Sequence, residues 1–390
     1  MAEKNLFDNT EIAFSLKSDS ELERAFFLFK MISKEPLVRI GTAVTKFALN
    51  ANLPVEGLIR STVFDHFCGG VSEEDCMSTV RQLENAGVVS VLDYSVEGKQ
   101  TEEQFDRTLN KVIELSYLAK EDPAMPFAVF KPTGLGRFAI WEKKSSIAEL
   151  SDSESQEWER IVQRYHRICS VAKECGISLL IDAEESWMQN AADELCEQMM
   201  ETYNRDRVVV YNTLQCYRWD RLDYLKQIHE RSLERGFKLG FKIVRGAYME
   251  KENERAQEMG YPTPICKDKA QTDQEFNAVL QYLIEQIPDS GVFLGTHNEA
   301  SCYLAMDLME AGGMQPGESR IYFGQLYGMS DHISYNLAGQ GYNVAKYIPF
   351  GPVKDVMPYL IRRAEENTSV AGQTNRELSL LKRERERRGV

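Results

Sequence analysis

The sequence predicts an α/β protein, a (β/α)8 TIM-type barrel preceded by an N-terminal helical region. Two observations carry this. Eight short, apolar, β-branched runs lie between residues 87 and 370, and longer amphipathic stretches with helical spacing separate them. Strands covered on both faces read as continuous apolar runs, and parallel neighbours need a helix-length return between them. Eight such units are the count that closes a barrel, whereas a doubly wound sheet usually shows fewer strands and often a glycine-rich first turn. No G-x-G-x-x-G or G-x-x-x-x-G-K-[ST] segment occurs, so neither phosphate cradle is expected.

In chain order, residues 1–86 read as helices. Ser18 to Ser20 supply caps for ELERAFFLFKMISK, which sets Phe26, Phe27, Phe29 and Met31 among charges. Pro36 breaks that helix before VRIGTAVTKFALNANL, and the capping box Ser72-x-x-Asp75 opens another that ends near Gly87. The strand-like runs are 88–94, 127–132, 178–185, 208–217, 239–248, 292–298, 321–328 and 344–351. Residues 371–390 form a charged C-terminal tail ending KRERERRGV, read as a solvated helix end. The expected organisation is therefore 1–86 helical, 87–370 barrel and 371–390 tail.

Composition bounds the function. Of 390 residues, 43% are hydrophobic and 27% charged, enough for a sizeable core and too apolar for disorder. Lys and Arg number 46 against 60 Asp and Glu, and the net charge of -14 opposes nucleic acid and anionic membrane. No apolar run approaches the ~18 residues that cross a bilayer, and the acids from Glu3 onward suit neither a secretory signal nor a mitochondrial presequence. The eight cysteines are scattered without a C-x-x-C pair, which predicts reduced thiols in a cytoplasm and no zinc site.

A barrel places its active site at the C-terminal strand ends. There the runs carry Lys131, then Asp182-Ala183-Glu184-Glu185, then Gln215; Lys242 lies inside run five, with Arg245-Gly246-Ala247-Tyr248 at its end. Thr296-His297-Asn298, Gln325-Leu326-Tyr327-Gly328 and Tyr347 follow, while run one leads to Asp93 and Glu97. In GPVKDVMPYLIRRAEEN, Tyr359, Arg362, Arg363 and Glu366 share one helical face. Adjacent guanidinium forks suit a carboxylate or phosphate, so Lys131, Arg362 and Arg363 predict a small anionic substrate. Histidines without H-x-x-x-H spacing argue against a metal, and no G-x-S-x-G elbow is present. The residues alone leave the chemistry open.

The stretches FKPTGLGRF, LLIDAEES, YNTLQCY, FKIVRGAYMEKE, KAQTD, GTHN, LYGM and YIPFGPV…YLIRRAEEN closely resemble, in order, the proline dehydrogenase family, in its monofunctional, eukaryotic-type branch. The resemblance implies FAD-dependent oxidation of L-proline to Δ1-pyrroline-5-carboxylate, with hydride passing from proline C5 to flavin N5 and electrons going to a membrane quinone. It implies that Lys131, Arg362 and Arg363 bind the proline carboxylate and that Tyr359, Leu326 and Tyr347 shape the pocket. Glu366 would support the arginines, Glu97 would pair with Lys131, and Asp182 and Lys242 would act beneath and beside the flavin. Ala183, Gln215, Val244, Arg245, Gly246, Ala247 and Tyr248 would line the FAD. Thr296, His297 and Asn298 would serve its adenosine half, with Lys269 and Thr272 near pyrophosphate or ribose. Many bacterial members carry Arg where Lys242 stands, so the planar fork is lost there while the charge is kept. The quinone implies peripheral contact with the inner face of the cell membrane. A hydroxyproline dehydrogenase is the alternative, disfavoured by the bulk of Tyr347.

Overall fold

A computed structural model describes residues 5–34, 57, 60–95, 100–369 and 371–390. Eight strands, β1 (Val88–Tyr94), β2 (Phe127–Phe130), β3 (Ser178–Ile181), β4 (Val210–Gln215), β5 (Leu239–Val244), β6 (Ser290–Gly295), β7 (Ile321–Leu326) and β8 (Val344–Phe350), follow one another around a closed barrel. Seven of the eight predicted runs contain their strand whole, and β6 begins two residues before its run, at Ser290. The chain divides into two compact units, one formed by Met1–Glu97, His297–Tyr303 and Gly324–Val390, the other by Gly98–Thr296 and Leu304–Phe323.

In the second unit β2 to β6 pair in parallel, with Phe130 opposite Ile181, Thr213 opposite Lys242 and Val244 opposite Gly295. Phe127 at the start of β2 meets Tyr211, Phe293 and Tyr322 edge-on, with centroids 6.4, 5.3 and 4.8 Å away. These rings fill the space with packed apolar surface. Gly291 is required beside them, since a Cβ there would lie 2.5 Å from the Tyr211 hydroxyl oxygen. The apolar packing sits low on the strands, leaving their C-terminal ends to polar side chains.

In the first unit β1 runs parallel to β8, from Val88 opposite Val344 to Tyr94 opposite Phe350. The helix Glu73–Asn85 starts where Ser72 accepts from Asp75 N and stops before Gly87, whose φ of 72° suits glycine. The reciprocal arm of the predicted capping box goes one residue further back, with Asp75 accepting from Val71 N. Ser18 and Glu21 form a complete capping box for Asp19–Ile32, which buries Leu22, Ala25, Phe29 and Ile32 at 3–4 residue spacing. The segment VRIGTAVTKFALNANL lies outside the described residues.

The C-terminal tail departs from the solvated end read in the sequence. Ala371–Arg388 is a helix whose Leu380 and Leu381 are buried with Ala13, Phe14, Leu22, Ala25 and Phe29. Burying two leucines stabilises by about 1.5–3 kcal/mol each, an upper figure, and that outweighs the pull of the charges toward water. The arginines meet acids of the N-terminal segment: Arg383 reaches Asp8, Arg385 reaches Glu23 and Arg388 reaches Asp19. The leucine pair hidden in a charged sequence was the legible signal for this packing.

Candidate active site

In the second unit the strand ends build a buried polar layer. Lys131 follows β2 directly, and the turn after it is fixed by Glu184, whose carboxylate accepts from Thr133 N at 2.9 Å and Thr133 Oγ1 at 2.7 Å. Burial pushes the Glu184 carboxyl up to about 7, against the opposing pull of those bonds and of the Lys131 charge. Gln215, last residue of β4, donates to Glu184 O at 2.6 Å and to the Tyr217 hydroxyl at 2.9 Å. Its buried Oε1 has no partner among the described residues. Lys242 reaches past β4 to pair with Asp182 at the end of β3, an arrangement that needs both side chains on the same sheet face.

The end of β5 is equally constrained. Arg245 donates to Asp273 at 2.9 Å and to Thr296 Oγ1 at 3.0 Å, and its guanidinium lies 3.9 Å from the Phe276 ring centre. Burial, which raises the Asp273 carboxyl, is outweighed by Lys269 and Arg245, so it stays below the usual carboxylate range. Gly246 packs tightly, since a Cβ would come 2.5 Å from Met249. Val244 and Tyr248 are half-buried, as is Ala183 after β3, whereas Ala247 and Lys269 are exposed. Thr272 is buried with its hydroxyl turned to Asp268 O on its own helix, 3.2 Å away. The following helix, Met249–Met259, is tied back by Glu252, which accepts from Ser186 N and Oγ at 2.6 Å each.

In the first unit His297 and Asn298 follow β6. His297 Nδ1 lies 2.9 Å from Ser330 Oγ, and Asn298 Oδ1 accepts from Ser301 N at 3.1 Å, starting the helix Glu299–Ala311. Leu326 ends β7 half-buried, and Tyr327 N donates to Tyr347 O at 2.8 Å. Tyr347 and Tyr359 are both 7% exposed, the latter among Phe64, Phe67, Val356 and Leu360. The helix predicted from Gly351-Pro352 runs Val353–Ser369 and carries Pro358 within it. Glu97 lies outside the described residues, as do the side chains of Arg362, Arg363 and Glu366.

Sequence reasoning assigned no role to the Glu184 clamp, nor to Lys346 on β8, which is fully buried and donates to Asp331 at 2.9 Å. A lysine inside an apolar run was the available signal for the second; the first joins residues 51 apart and left none. Among the described residues no cluster of His, Cys, Asp or Glu gathers as for a metal ion, and all eight cysteines are buried. The Gln215 acceptor and the Arg245 guanidinium beside Thr296 suit a cofactor with N–H donors and a phosphate-bearing arm.

The proline dehydrogenase family model matches residues 76–376. The chain is 36% identical over 335 residues to the carbapenem antibiotics biosynthesis protein CarD of Pectobacterium carotovorum, covering 86% of this chain and 87% of that protein. It is 30% identical over 429 residues to the mitochondrial proline dehydrogenase 1 of Dictyostelium discoideum, covering 97% and 74%. In fold it is similar to proline utilization A from Bdellovibrio bacteriovorus, with a TM-score of 0.71 at 20% identity, over 95% of this chain and 40% of that longer one. With the barrel, the strand-end residues and a family match over most of its length, the chain belongs to the proline dehydrogenase family of oxidoreductases.

Proposed function

We propose that this enzyme oxidises L-proline to Δ1-pyrroline-5-carboxylate with FAD as its cofactor and a quinone as electron acceptor. The observation that carries the cofactor is the polar layer on β3 to β6, above all the buried Gln215 Oε1, an acceptor suited to the imide N–H of a flavin. Bound there, FAD would supply the acceptor for hydride leaving proline C5. Lys242 would keep a positive charge beside it, held in place by Asp182. Arg245, with Thr296, would serve the phosphate-bearing arm, and His297 and Asn298 the adenosine half.

For the substrate, Lys131 is the cation proposed to meet the carboxylate, with Glu184 and Thr133 fixing the turn that carries it. Arg362 and Arg363 are assigned to the same carboxylate by their spacing on the helix Val353–Ser369. Orientation through that clamp is worth several orders of magnitude in rate, and it needs proline with its amine neutral at the reacting moment. The buried phenol of Tyr347 favours proline over hydroxyproline.

The proposed setting is the cytoplasm, with peripheral contact at the inner face of the cell membrane to reach quinone. Phe27, 64% exposed on the helix Asp19–Ile32, supports a contact there; the tail arginines, engaged with acids, do not. The test is the anaerobic visible spectrum of the purified protein before and after L-proline. A flavin band that bleaches with L-proline, and much less with hydroxyproline, is the expected result. A flavin that L-proline leaves oxidised removes the substrate, and protein that takes up no FAD removes the cofactor.

A further inference from the structure

Two described residues other than glycine have positive φ, Ile147 at 57° and Ser330 at 51°. Ile147 is 93% exposed, but Ser330 is 5% exposed and sits just before the helix Asp331–Gly339 that follows β7. Glycine adopts that backbone without strain, so a serine there points to a task for its hydroxyl.

Every polar group of Ser330 is engaged. Its hydroxyl lies 2.9 Å from His297 Nδ1, its carbonyl accepts from Ile333 N at 3.0 Å, and its N–H donates to Glu377 Oε2 at 3.2 Å. Glu377 is 6% exposed and belongs to the C-terminal helix Ala371–Arg388, 47 residues away in sequence. Its own position is fixed, because the same oxygen faces His332 Nδ1 at 3.6 Å. His332 in turn meets Glu299 at 3.0 Å, and Arg376 links Glu299 to Asp8 at 2.7 and 2.8 Å. A buried carboxylate is costly unless paired, so this chain of contacts is a built support and not a surface accident.

We infer that Ser330, held in its left-handed conformation by Glu377, is a positioning residue that sets the His297 ring for the adenosine half of bound FAD. The C-terminal helix is thereby part of the cofactor's support. This rests on the FAD assignment proposed for the enzyme.

The experiment titrates FAD into apoprotein of wild type, S330A, S330G and E377Q, and records the visible spectrum of each at saturating FAD. One lost charge-neutral hydrogen bond at a positioned ring predicts FAD binding about tenfold weaker in S330A. S330G, which relieves the backbone, is expected to bind as weakly as S330A. E377Q is expected to lose about two- to threefold, because its amide oxygen still accepts the Ser330 N–H. In all three the flavin band positions stay those of wild type, since the isoalloxazine end is untouched. FAD affinity retained in S330A or S330G overturns the inference, as does a shifted flavin spectrum in any variant. Wild-type protein that binds no FAD overturns the cofactor assignment instead.

Discussion

Each unit of the molecule buries a lysine in the middle of a barrel strand and sets an aspartate against it. In the second unit Lys242 on β5 is 5% exposed and pairs with Asp182, whose side chain keeps 17% of its surface open. In the first, Lys346 on β8 is fully buried, donating to Asp331 and to the carbonyls of Leu326 and Met329. Asp331 takes Lys17 on its other oxygen at 3.0 Å. Burial, which raises the Asp331 carboxyl, is outweighed by the two lysines, so it sits far below the carboxylate range. Burial pulls the Lys346 ammonium below its ordinary range in spite of Asp331. The difference lies in what remains open. Lys346 has its donors filled and serves the scaffold, while the Lys242 pair keeps an exposed edge at a strand end, where the proposed flavin would sit.

Removing the two lysines should separate these roles. K346M leaves two carbonyls without their donor and Asp331 with half its compensation. Breaking a buried pair from one side costs about 3–5 kcal/mol, read as a lowered urea midpoint. K242M leaves a carboxylate that water can reach, so about 1–2 kcal/mol is expected, with the larger change in the spectrum and reduction of bound flavin. A K242M protein less stable than K346M would erase the distinction.

The same contrast marks what the sequence made legible. All eight strands were readable, because each is buried on both faces and so written as an apolar run. Lys242 stood out through its neighbours Arg245 and Gly246, a motif contiguous in the chain. Lys346 sits beside Tyr347 in an equally clear run, yet its partner Asp331 is 15 positions away and the second cation on Asp331, Lys17, lies near the start of the chain, and spacing cannot report such pairs. The Thr133–Glu184 and Ser330–Glu377 bonds were hidden for the same reason. The tail misled because its charges outnumber the two leucines that fasten it.

The units also answer differently to pH. Burial lowers the His332 imidazolium, but its hydrogen bond to Glu299 and the facing Glu377 carboxylate prevail and push it up to about 9. A base with a raised pKa contributes stability below its ordinary 6.5 and loses it as pH rises through about 9. His66, pulled down to about 3 by burial and then by the Lys17 charge, donates from Nε2 to Gly328 O. Its contribution is present above 6.5 and fades as pH falls toward about 3. In the second unit Glu184, raised to about 7, contributes below 4.5 and loses that contribution as pH rises through about 7. Thermal midpoints against pH should therefore lose their alkaline slope in H332Q, their acid slope in H66Q and the slope between 4.5 and 7 in E184Q. An H332Q protein with the wild-type alkaline loss would show that the fold does not hold that charge.

The smallest effect sharpens the comparison most, because it concerns the residue next to Lys346. Successive side chains of β8 point to opposite faces, so Lys346 and Tyr347 cannot share a role. Lys346 faces the Asp331 cluster; Tyr347 takes the other face, where the proposed substrate ring would pack. A phenol over that ring leaves little room for a 4-hydroxyl. Y347S should raise the ratio of kcat/KM for hydroxyproline over proline by about tenfold, or ~1.4 kcal/mol, and leave the Lys346 cluster intact. An unchanged ratio would refute the steric argument. A changed ratio in K346M, with Tyr347 present, would instead mean that the scaffold lysine sets specificity by tilting its neighbour.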